Sequence, residues 1–186
     1  MNVTVYCGAN LGNDPIYQAA AVKIGKWIAG NHHKLIYGGG GAGLMGVVAD
    51  TVLSQGGDVI GIIPTFLAER ELAHQGLTQL ITVDSMSERK KMMIELGQVY
   101  IALAGGPGTL EEISEVISWA RIGQNSNPCI LFNQNDYYEP LKIMFDQMVK
   151  SGFLTLADRQ KILFSDNLSE IEQFIVNYQP PQVRRY

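Results

Sequence analysis

The chain has 186 residues, 46% of them hydrophobic, which is enough for one domain with a full core and leaves little room for a second domain. Its 14 Lys and Arg against 18 Asp and Glu give a net charge of −4, which argues against a dedicated nucleic-acid or membrane-surface binder. Cys7 and Cys129 are too few and too far apart for a zinc knuckle or a disulfide scaffold, so we expect a reducing, cytoplasmic environment.

Short apolar runs alternate with longer stretches of helical spacing along the chain. The runs are typical of parallel strands buried on both faces, and they predict strands at residues 3–7, 35–37, 59–63, 80–83, 99–103 and 129–132. Asp14 and Pro15 predict the start of a helix that ends at Gly30. Ser85 and Glu88 have the spacing of a capping box at the start of another helix.

Two more helices continue this alternation towards the C-terminus. A single apolar stripe predicts the first, at Leu110, Ile113, Ile117 and Ala120, and a similar stripe follows Pro140. Strands and helices alternating in this way predict an α/β fold, a doubly wound parallel sheet with helices on both faces. We expect one domain at residues 1–178 and a flexible tail at residues 179–186. No apolar run approaches the roughly 20 residues of a membrane-spanning helix, so no membrane partner is expected.

The first glycine cluster, residues 38–46, directly follows the second predicted strand. Ligands of doubly wound sheets bind beyond the carboxyl ends of the strands, and Gly8 follows the first strand in the same way. Residues 41–46 formally match the dinucleotide fingerprint, but the next strand ends in Pro64 and Thr65, where an acidic residue should bind a ribose. An NAD site is therefore disfavoured, and we expect these glycines to allow close approach of backbone to a ligand or a neighbouring helix.

The second glycine cluster, residues 105–108, lies between a predicted strand and a predicted helix. Glycines at such a position expose backbone N–H groups at a helix N-terminus, where the helix dipole adds partial positive charge, and Thr109 adds a hydroxyl donor. This arrangement binds phosphate without a lysine. Because no Gly-Lys-Ser/Thr follows, it is not a Walker A loop, and nucleoside triphosphate chemistry is disfavoured.

Charged residues near both helix starts are candidates for ligand contacts. Glu111 and Glu112 complement the dipole in the first turn of their helix, but a carboxylate beside a phosphate can also address a ribose hydroxyl or a carbon that gains positive charge. Arg89, Lys90 and Lys91 oppose the dipole of their own helix. We therefore expect at least one of these cations to face an anion, and Lys91 to be solvated.

Several motifs together resemble one known family. They are Cys7-Gly8 and the residues at 39–46, 70–74, 86–90 and 105–112. In combination they resemble the LONELY GUY (LOG) family of cytokinin riboside 5′-monophosphate phosphoribohydrolases, over most of the chain. The resemblance implies a Rossmann-like fold, a homodimer, and hydrolysis of the N-glycosidic bond of an adenine-type nucleoside 5′-monophosphate, a cytokinin nucleotide or AMP, to free base and ribose 5-phosphate.

The resemblance also implies roles for particular residues. It makes Arg89 and Glu112 catalytic. It places the substrate on Glu71, Lys90, Gly105, Gly106, Pro107, Gly108, Thr109, Leu110, Glu111 and Ser118, and we add Gly8, Gly40, Gly41 and Met45 as a nucleotide loop. Two positions depart from the family pattern, since Ala104 replaces a proline and Ser87 a histidine. Neither departure removes a proposed catalytic group.

Neither a cofactor nor a metal ion is expected. Members of this family were long labelled possible lysine decarboxylases, but the sequence offers no evident pyridoxal phosphate site, and its three histidines provide no convincing set of metal ligands.

Cleavage of a glycosidic bond to adenine builds positive charge on the ribose C1′ and negative charge on the departing base. We expect the loop at 105–109 to anchor the 5′-phosphate, and Glu112 to stabilise the ribose cation and to orient or deprotonate water. Arg89 then supports either the phosphate or the leaving group, and Glu71 holds the ribose or the base. The alternative is a non-catalytic nucleotide or cofactor carrier of the same fold, which would need the glycines but not the carboxylate.

Overall fold

The computed structural model describes residues 1–70 and 73–183, which form one parallel sheet of seven strands. The strands are β1 (Asn2–Tyr6), β2 (Lys34–Tyr37), β3 (Asp58–Pro64), β4 (Gln79–Val83), β5 (Val99–Ala102), β6 (Cys129–Leu131) and β7 (Ile162–Phe164). Their order across the sheet is β4-β3-β2-β1-β5-β6-β7, and every neighbouring pair is parallel. The predicted Rossmann-like, doubly wound α/β fold is confirmed.

Helices connect the strands and cover both faces of the sheet. They are α1 (Pro15–Gly30), α2 (Gly43–Ser54), α3 (Thr65–Ala68), α4 (Met86–Leu96), α5 (Pro107–Arg121), α6 (Glu139–Lys150), α7 (Leu156–Arg159) and α8 (Leu168–Val176), with a 3₁₀ turn at Gln134–Asp136. Helices α1, α2 and α8 pack on one face, and α4, α5 and α6 on the other. Because side chains alternate along a strand, Val3 and Val5 of β1 belong to the first core and Tyr6 to the second.

The direction in which the chain adds successive strands to the sheet reverses between β1 and β5. From β1 the chain builds β2, β3 and β4 outward on one side, and α4 then returns it to β5 on the other side. Val3 accordingly lies opposite both Leu35 in β2 and Val99 in β5. Connections that diverge from two neighbouring strands leave a crevice at their carboxyl ends, and this crevice is the expected ligand site.

The predicted strands are all present, each within a residue of its expected bounds. The apolar pattern did not predict β7, a three-residue strand at the edge of the sheet, or α8. On α5, Ile113, Ile117 and Ala120 are buried as expected, whereas Leu110 is 43% exposed and does not belong to the buried stripe.

Both predicted helix caps are present. The Asp14 carboxylate accepts a hydrogen bond of 2.9 Å from the Ile16 N–H at the start of α1. At the start of α4, the Ser85 hydroxyl accepts from the Glu88 N–H at 3.2 Å. The Glu88 carboxylate accepts from the Asp84 N–H at 2.9 Å, one residue before the position that the capping box predicts.

Residues 179–183 follow α8 without regular secondary structure. Pro181 is buried, and Val183 lies against Gly123 at the end of α5. Residues 184–186 lie outside the described ranges, so the flexible tail stays a prediction. None of the helices in the described ranges is long and apolar enough to cross a membrane.

The turn between β2 and α2 is pressed against its neighbours so closely that only glycine fits. Gly43 has a φ of +62°, and a Cβ there would collide with the backbone of Ala9 in the loop after β1. A Cβ on Gly46 would collide with the carbonyl of Gly41. These glycines of the first cluster therefore allow α2 to begin beside the loop that follows β1.

Gly46→Ala should lower the free energy of unfolding by about 1–3 kcal/mol, because the added methyl group has only rigid backbone to displace. Gly30→Ala is the matched control, since a Cβ at Gly30 meets nothing within 4 Å. It should be neutral or stabilising by up to about 1 kcal/mol through its higher helix propensity. Urea denaturation measures both variants, and equal stability of the two would contradict the close approach at Gly46.

Candidate active site

A cavity of about 540 Å³ opens at the carboxyl ends of β1 and β5. Its wall consists of the loop at residues 7–13, the first turns of α2, α4 and α5, and the loop between β5 and α5, together with side chains from α1, from α3 and from the segment before α6. The switch point of the sheet therefore coincides with this concave site.

The predicted site residues divide into three groups. Those that line the cavity are Gly8, Met45, Arg89, Gly105, Gly106, Gly108, Thr109, Glu111 and Glu112. Those that lie outside its wall are Gly40, Gly41, Lys90, Pro107, Leu110 and Ser118. Glu71 lies outside the described residues.

The residues outside the wall lie on α4, on α5 or in the first glycine cluster. Pro107 is the first residue of α5, and Leu110 and Ser118 are exposed on the outer side of that helix. Gly40 forms an antiparallel bridge with Ala73, which brings the segment after residue 72 to the first glycine cluster.

The start of α5 presents unpaired backbone donors to the cavity. The N–H groups of Gly105, Gly106, Gly108 and Thr109 make no hydrogen bond with any described residue. Since α5 has 15 residues, the dipole of a full helix adds partial positive charge at this end. The Thr109 side chain is buried against Gly105, where a Cβ would collide with its hydroxyl oxygen. This geometry suits a bound anion such as a phosphate.

Arg89 of α4 and Glu112 of α5 form a buried pair of opposite charge in the cavity wall. The Arg89 Nη2 lies 3.5 Å from the Glu112 Oε1, and the two residues are 9% and 8% exposed. This separation is longer than a tight charge-assisted hydrogen bond of about 2.8 Å. The Arg89 Nε has no hydrogen-bond partner among the described residues. Both side chains therefore retain capacity to bind a ligand.

Gly38 makes room for this arginine. A Cβ on Gly38 would collide with the Arg89 Nη2. Gly38 of the first glycine cluster thus admits the guanidinium to the site, a role that the sequence pattern did not indicate.

Burial sets the protonation of the acidic groups in the cavity. Desolvation raises the pKa of Glu112 above its ordinary value, and the nearby Arg89 charge opposes that rise. Burial also raises the pKa of the Cys7 thiol far above its usual range. Cys7 is therefore a small buried thiol and not a thiolate nucleophile.

The neighbouring lysines are paired outside the cavity. The Lys90 Nζ lies 2.8 Å from Glu111 and 3.1 Å from Glu115, and the hydrogen bond with Glu111 raises the pKa of Lys90. Lys91 is exposed as expected and lies 3.7 Å from Glu95 on the surface of α4. In the described ranges, no group of three or more His, Cys, Asp or Glu side chains is placed to hold a metal ion.

Several wall residues were not among the predicted ones. Asn10, Asn13 and Tyr17 come from the loop after β1 and the start of α1. Their position directly after a first strand was a usable signal, because that is where ligands of such sheets bind. Met86 belongs to the family motif at residues 86–90, whereas Tyr137 had no comparable signal, since only the tertiary structure brings it to the cavity.

The fold and the site define a Rossmann-like α/β protein with unpaired backbone N–H groups at a helix start and a buried Arg–Glu pair at its switch point. A family model described as possible lysine decarboxylase matches residues 45–175. A cytokinin riboside 5′-monophosphate phosphoribohydrolase of Rhodococcoides fascians is 44% identical over 87% of this chain and 82% of its own length. An Arabidopsis thaliana enzyme of the same name is 37% identical over 96% of this chain and 82% of its own length. The chain belongs to the LOG family.

Solved structures with the same fold are more distant in sequence. The molybdenum cofactor binding protein of Rippkaea orientalis superposes with a TM-score of 0.67 at 20% identity, covering 95% of this chain and 96% of that one. A molybdenum cofactor carrier protein of Chlamydomonas reinhardtii gives 0.69 at 16% identity, covering 95% and 98%. At these identities the likeness extends to the fold alone.

Arg89→Gln should raise the pKa of Glu112 further, because it removes the positive charge that opposes the effect of burial. Titration of ¹³C-labelled glutamate side chains by NMR measures this change. Lys91→Gln removes an equally positive but exposed side chain and should leave the pKa of Glu112 in place. A Glu112 pKa that does not move in Arg89→Gln would contradict the electrostatic coupling of the pair.

Proposed function

We propose that this protein hydrolyses the N-glycosidic bond of an adenine-type nucleoside 5′-monophosphate to free base and ribose 5-phosphate. The observation that carries the proposal is the placement, in one cavity, of the unpaired N–H groups of α5 and the buried carboxylate of Glu112. An anion anchor beside a buried carboxylate matches a substrate with a phosphate at one end and a carbon that becomes cationic at the other. The names of the relatives at 36–44% identity support the same reaction.

The proposed division of labour follows from the geometry of α5. The N–H groups between Gly105 and Thr109 hold the 5′-phosphate, and Glu112 lies one helical turn further along the same helix. Its carboxylate faces the ribose, stabilises the positive charge at C1′ and accepts a proton from the attacking water. Because burial raises the pKa of Glu112, it is a stronger base than an exposed carboxylate, and activity should fall as the pH decreases through that raised pKa.

Arg89 has two tasks in this proposal. Its charge keeps Glu112 ionised, since it opposes the effect of burial on the pKa. Its guanidinium lines the cavity and donates to the phosphate or to the departing base. A guanidinium suits this position because it stays protonated at any working pH and can bond to several acceptors at once.

The apolar part of the wall favours a substituted adenine as well as AMP. Leu11, Leu44, Met45, Leu67 and Met86 line the cavity together with the polar groups. Methionine side chains adapt to irregular ligands, so this part of the wall suits a hydrophobic substituent on the base. A cytokinin nucleotide is the substrate that combines these features.

Two other activities have less support. A decarboxylase that uses pyridoxal phosphate needs a lysine for its Schiff base, but none of the described residues of the cavity wall is a lysine, and Lys90 is paired with Glu111 and Glu115. A carrier of nucleotide or cofactor would leave the Arg89–Glu112 pair without a task. The structures named as carriers are only 16–20% identical to this chain.

The remaining expectations belong to the same proposal. The family resemblance implies a homodimer, and Leu110, Ile122 and Phe66, which are 43%, 49% and 43% exposed, are apolar side chains available to a partner. Ser118 and Glu71 would then contribute to the substrate as the family resemblance implies. The free, buried thiols suit a cytoplasmic protein, and its net charge of −4 disfavours a nucleic-acid partner.

The purified protein should release base and ribose 5-phosphate from AMP and from isopentenyladenosine monophosphate, but not from the free ribosides. The riboside lacks the group that the α5 donors hold, so we expect kcat/KM to fall by at least about a hundredfold, equivalent to about 2.7 kcal/mol of lost binding. Chromatography of the products measures both reactions. Equal cleavage of nucleotide and riboside would remove the phosphate anchor from the proposal.

Glu112→Gln should reduce kcat by about 10²–10⁴-fold while AMP still binds, because the amide keeps the shape of the side chain but neither stabilises the cation nor accepts a proton. Glu95→Gln neutralises an exposed carboxylate on α4 and should retain full turnover. Initial rates and calorimetric titration with AMP measure the two properties. Turnover within a few-fold of the native rate would exclude Glu112 from the chemistry.

A further inference from the structure

Tyr137 joins the loop between β5 and α5 to the 3₁₀ turn that precedes α6. It follows the 3₁₀ turn at Gln134–Asp136, and its hydroxyl donates a hydrogen bond of 2.6 Å to the Gly105 carbonyl. It also lines the cavity and is 39% exposed. No family motif in the sequence includes this residue, and the proposed reaction has so far given it no task.

Three successive carbonyl groups at the start of the loop between β5 and α5 each accept a hydrogen bond. The Tyr138 hydroxyl donates to the Leu103 carbonyl at 2.7 Å, and the Gly8 N–H donates to the Ala104 carbonyl at 3.0 Å. Tyr137 occupies the third of these carbonyls, that of Gly105. The orientation of each peptide group in the loop is therefore set before any ligand binds.

The bond from Tyr137 determines where one donor of the loop points. A trans peptide group is planar, with its N–H directed opposite to its C=O. Holding the Gly105 carbonyl towards Tyr137 therefore directs the Gly106 N–H, which belongs to the same peptide group, to the other side of the loop. That N–H has no partner among the described residues, and nothing lies within 4 Å of a Cβ built on Gly106.

We propose that Tyr137 is a positioning residue of the anion subsite, which holds the peptide group between Gly105 and Gly106 so that its N–H is directed to the phosphate of the substrate. The inference rests on the proposed function, in which the start of α5 binds a 5′-phosphate. It deepens that proposal by assigning the orientation of the loop to a hydroxyl group that does not touch the reacting atoms.

The turn before Tyr137 is built to place this side chain. Asn135 and Asp136 both have a φ of 55°, a left-handed conformation that non-glycine residues adopt at a cost. The Tyr137 ring contacts the ring of Tyr17 edge to face at 5.5 Å between centroids and that of Tyr138 at 5.0 Å. These aromatic contacts do not require the hydroxyl, so Tyr137→Phe should keep the ring in place and remove only the hydrogen bond.

In Tyr137→Phe we expect KM for AMP to rise about 3- to 10-fold with kcat within about 2-fold of native, because one net hydrogen bond that orders the phosphate donors is lost. Inhibition by inorganic phosphate should weaken by the same factor, whereas the affinity for free adenine should not change. Tyr100→Phe is the matched control. It removes the same kind of bond, from a buried hydroxyl to the Ile94 and Gly97 carbonyls at the end of α4 and outside the cavity wall, and should lower the melting temperature without changing KM.

An unchanged KM in Tyr137→Phe, an equal rise of KM in Tyr100→Phe, or equal weakening of adenine and phosphate binding would each overturn the proposal. Tyr137→Met is the second variant, and failure of both Tyr137 variants to fold would make the residue structural and overturn it as well. The dissociation constants of AMP and inorganic phosphate test the role of Tyr137 independently of the proposed hydrolase activity. Native protein that binds AMP without releasing base refutes the hydrolase, while the two constants still test Tyr137.

Discussion

The burial of two opposite charges, Arg89 and Glu112, is the constraint on which the rest of the site depends. Moving a charged group out of water is costly unless a partner and hydrogen bonds compensate for the loss. Here the partners come from α4 and α5, helices on the same face of the sheet that flank β5 along the chain. The 3.5 Å between them is close enough for attraction but leaves the pair unsaturated. The pair is thus stabilised by the fold and still available to a ligand.

Several features of the sequence follow from accommodating this pair. Gly38 is required because a side chain there would occupy the position of the guanidinium. Gly43 and Gly46 are required because α2 must begin beside the loop after β1, which forms the other wall of the cavity. The glycine-rich turn after β2 therefore has a steric explanation in this protein. The resemblance of residues 41–46 to a dinucleotide fingerprint arises from the same packing requirement, without the acidic ribose ligand of an NAD site.

Patterns of neighbouring residues predicted the strands and helix starts that depend mainly on residues close together in the chain. The apolar runs located β1 to β6, and the glycines at residues 105–108 located the start of α5 at the cavity. The contact of Gly38 with Arg89 and that of Tyr137 with Gly105 were not predictable, because each joins segments that only the folded sheet brings together. The position of Leu110 was misjudged since a helical stripe does not say where the buried face ends.

The two departures from the family pattern, Ser87 and Ala104, differ in their position relative to the cavity. Ser87 is exposed in the first turn of α4 and does not line the cavity, so the loss of a histidine there leaves the wall of this chain unchanged.

Ala104 replaces a proline that would restrict the φ angle of the loop. In this chain the restriction comes instead from hydrogen bonds to three successive carbonyls, those of Leu103, Ala104 and Gly105. Because these bonds approach from the 3₁₀ turn and from the loop after β1, the rigidity of the anion site depends on elements far from it in sequence. A loop with alanine at this position is therefore still held by hydrogen bonds to its carbonyl groups, while the N–H groups of Gly105 and Gly106 make no hydrogen bond with the described residues.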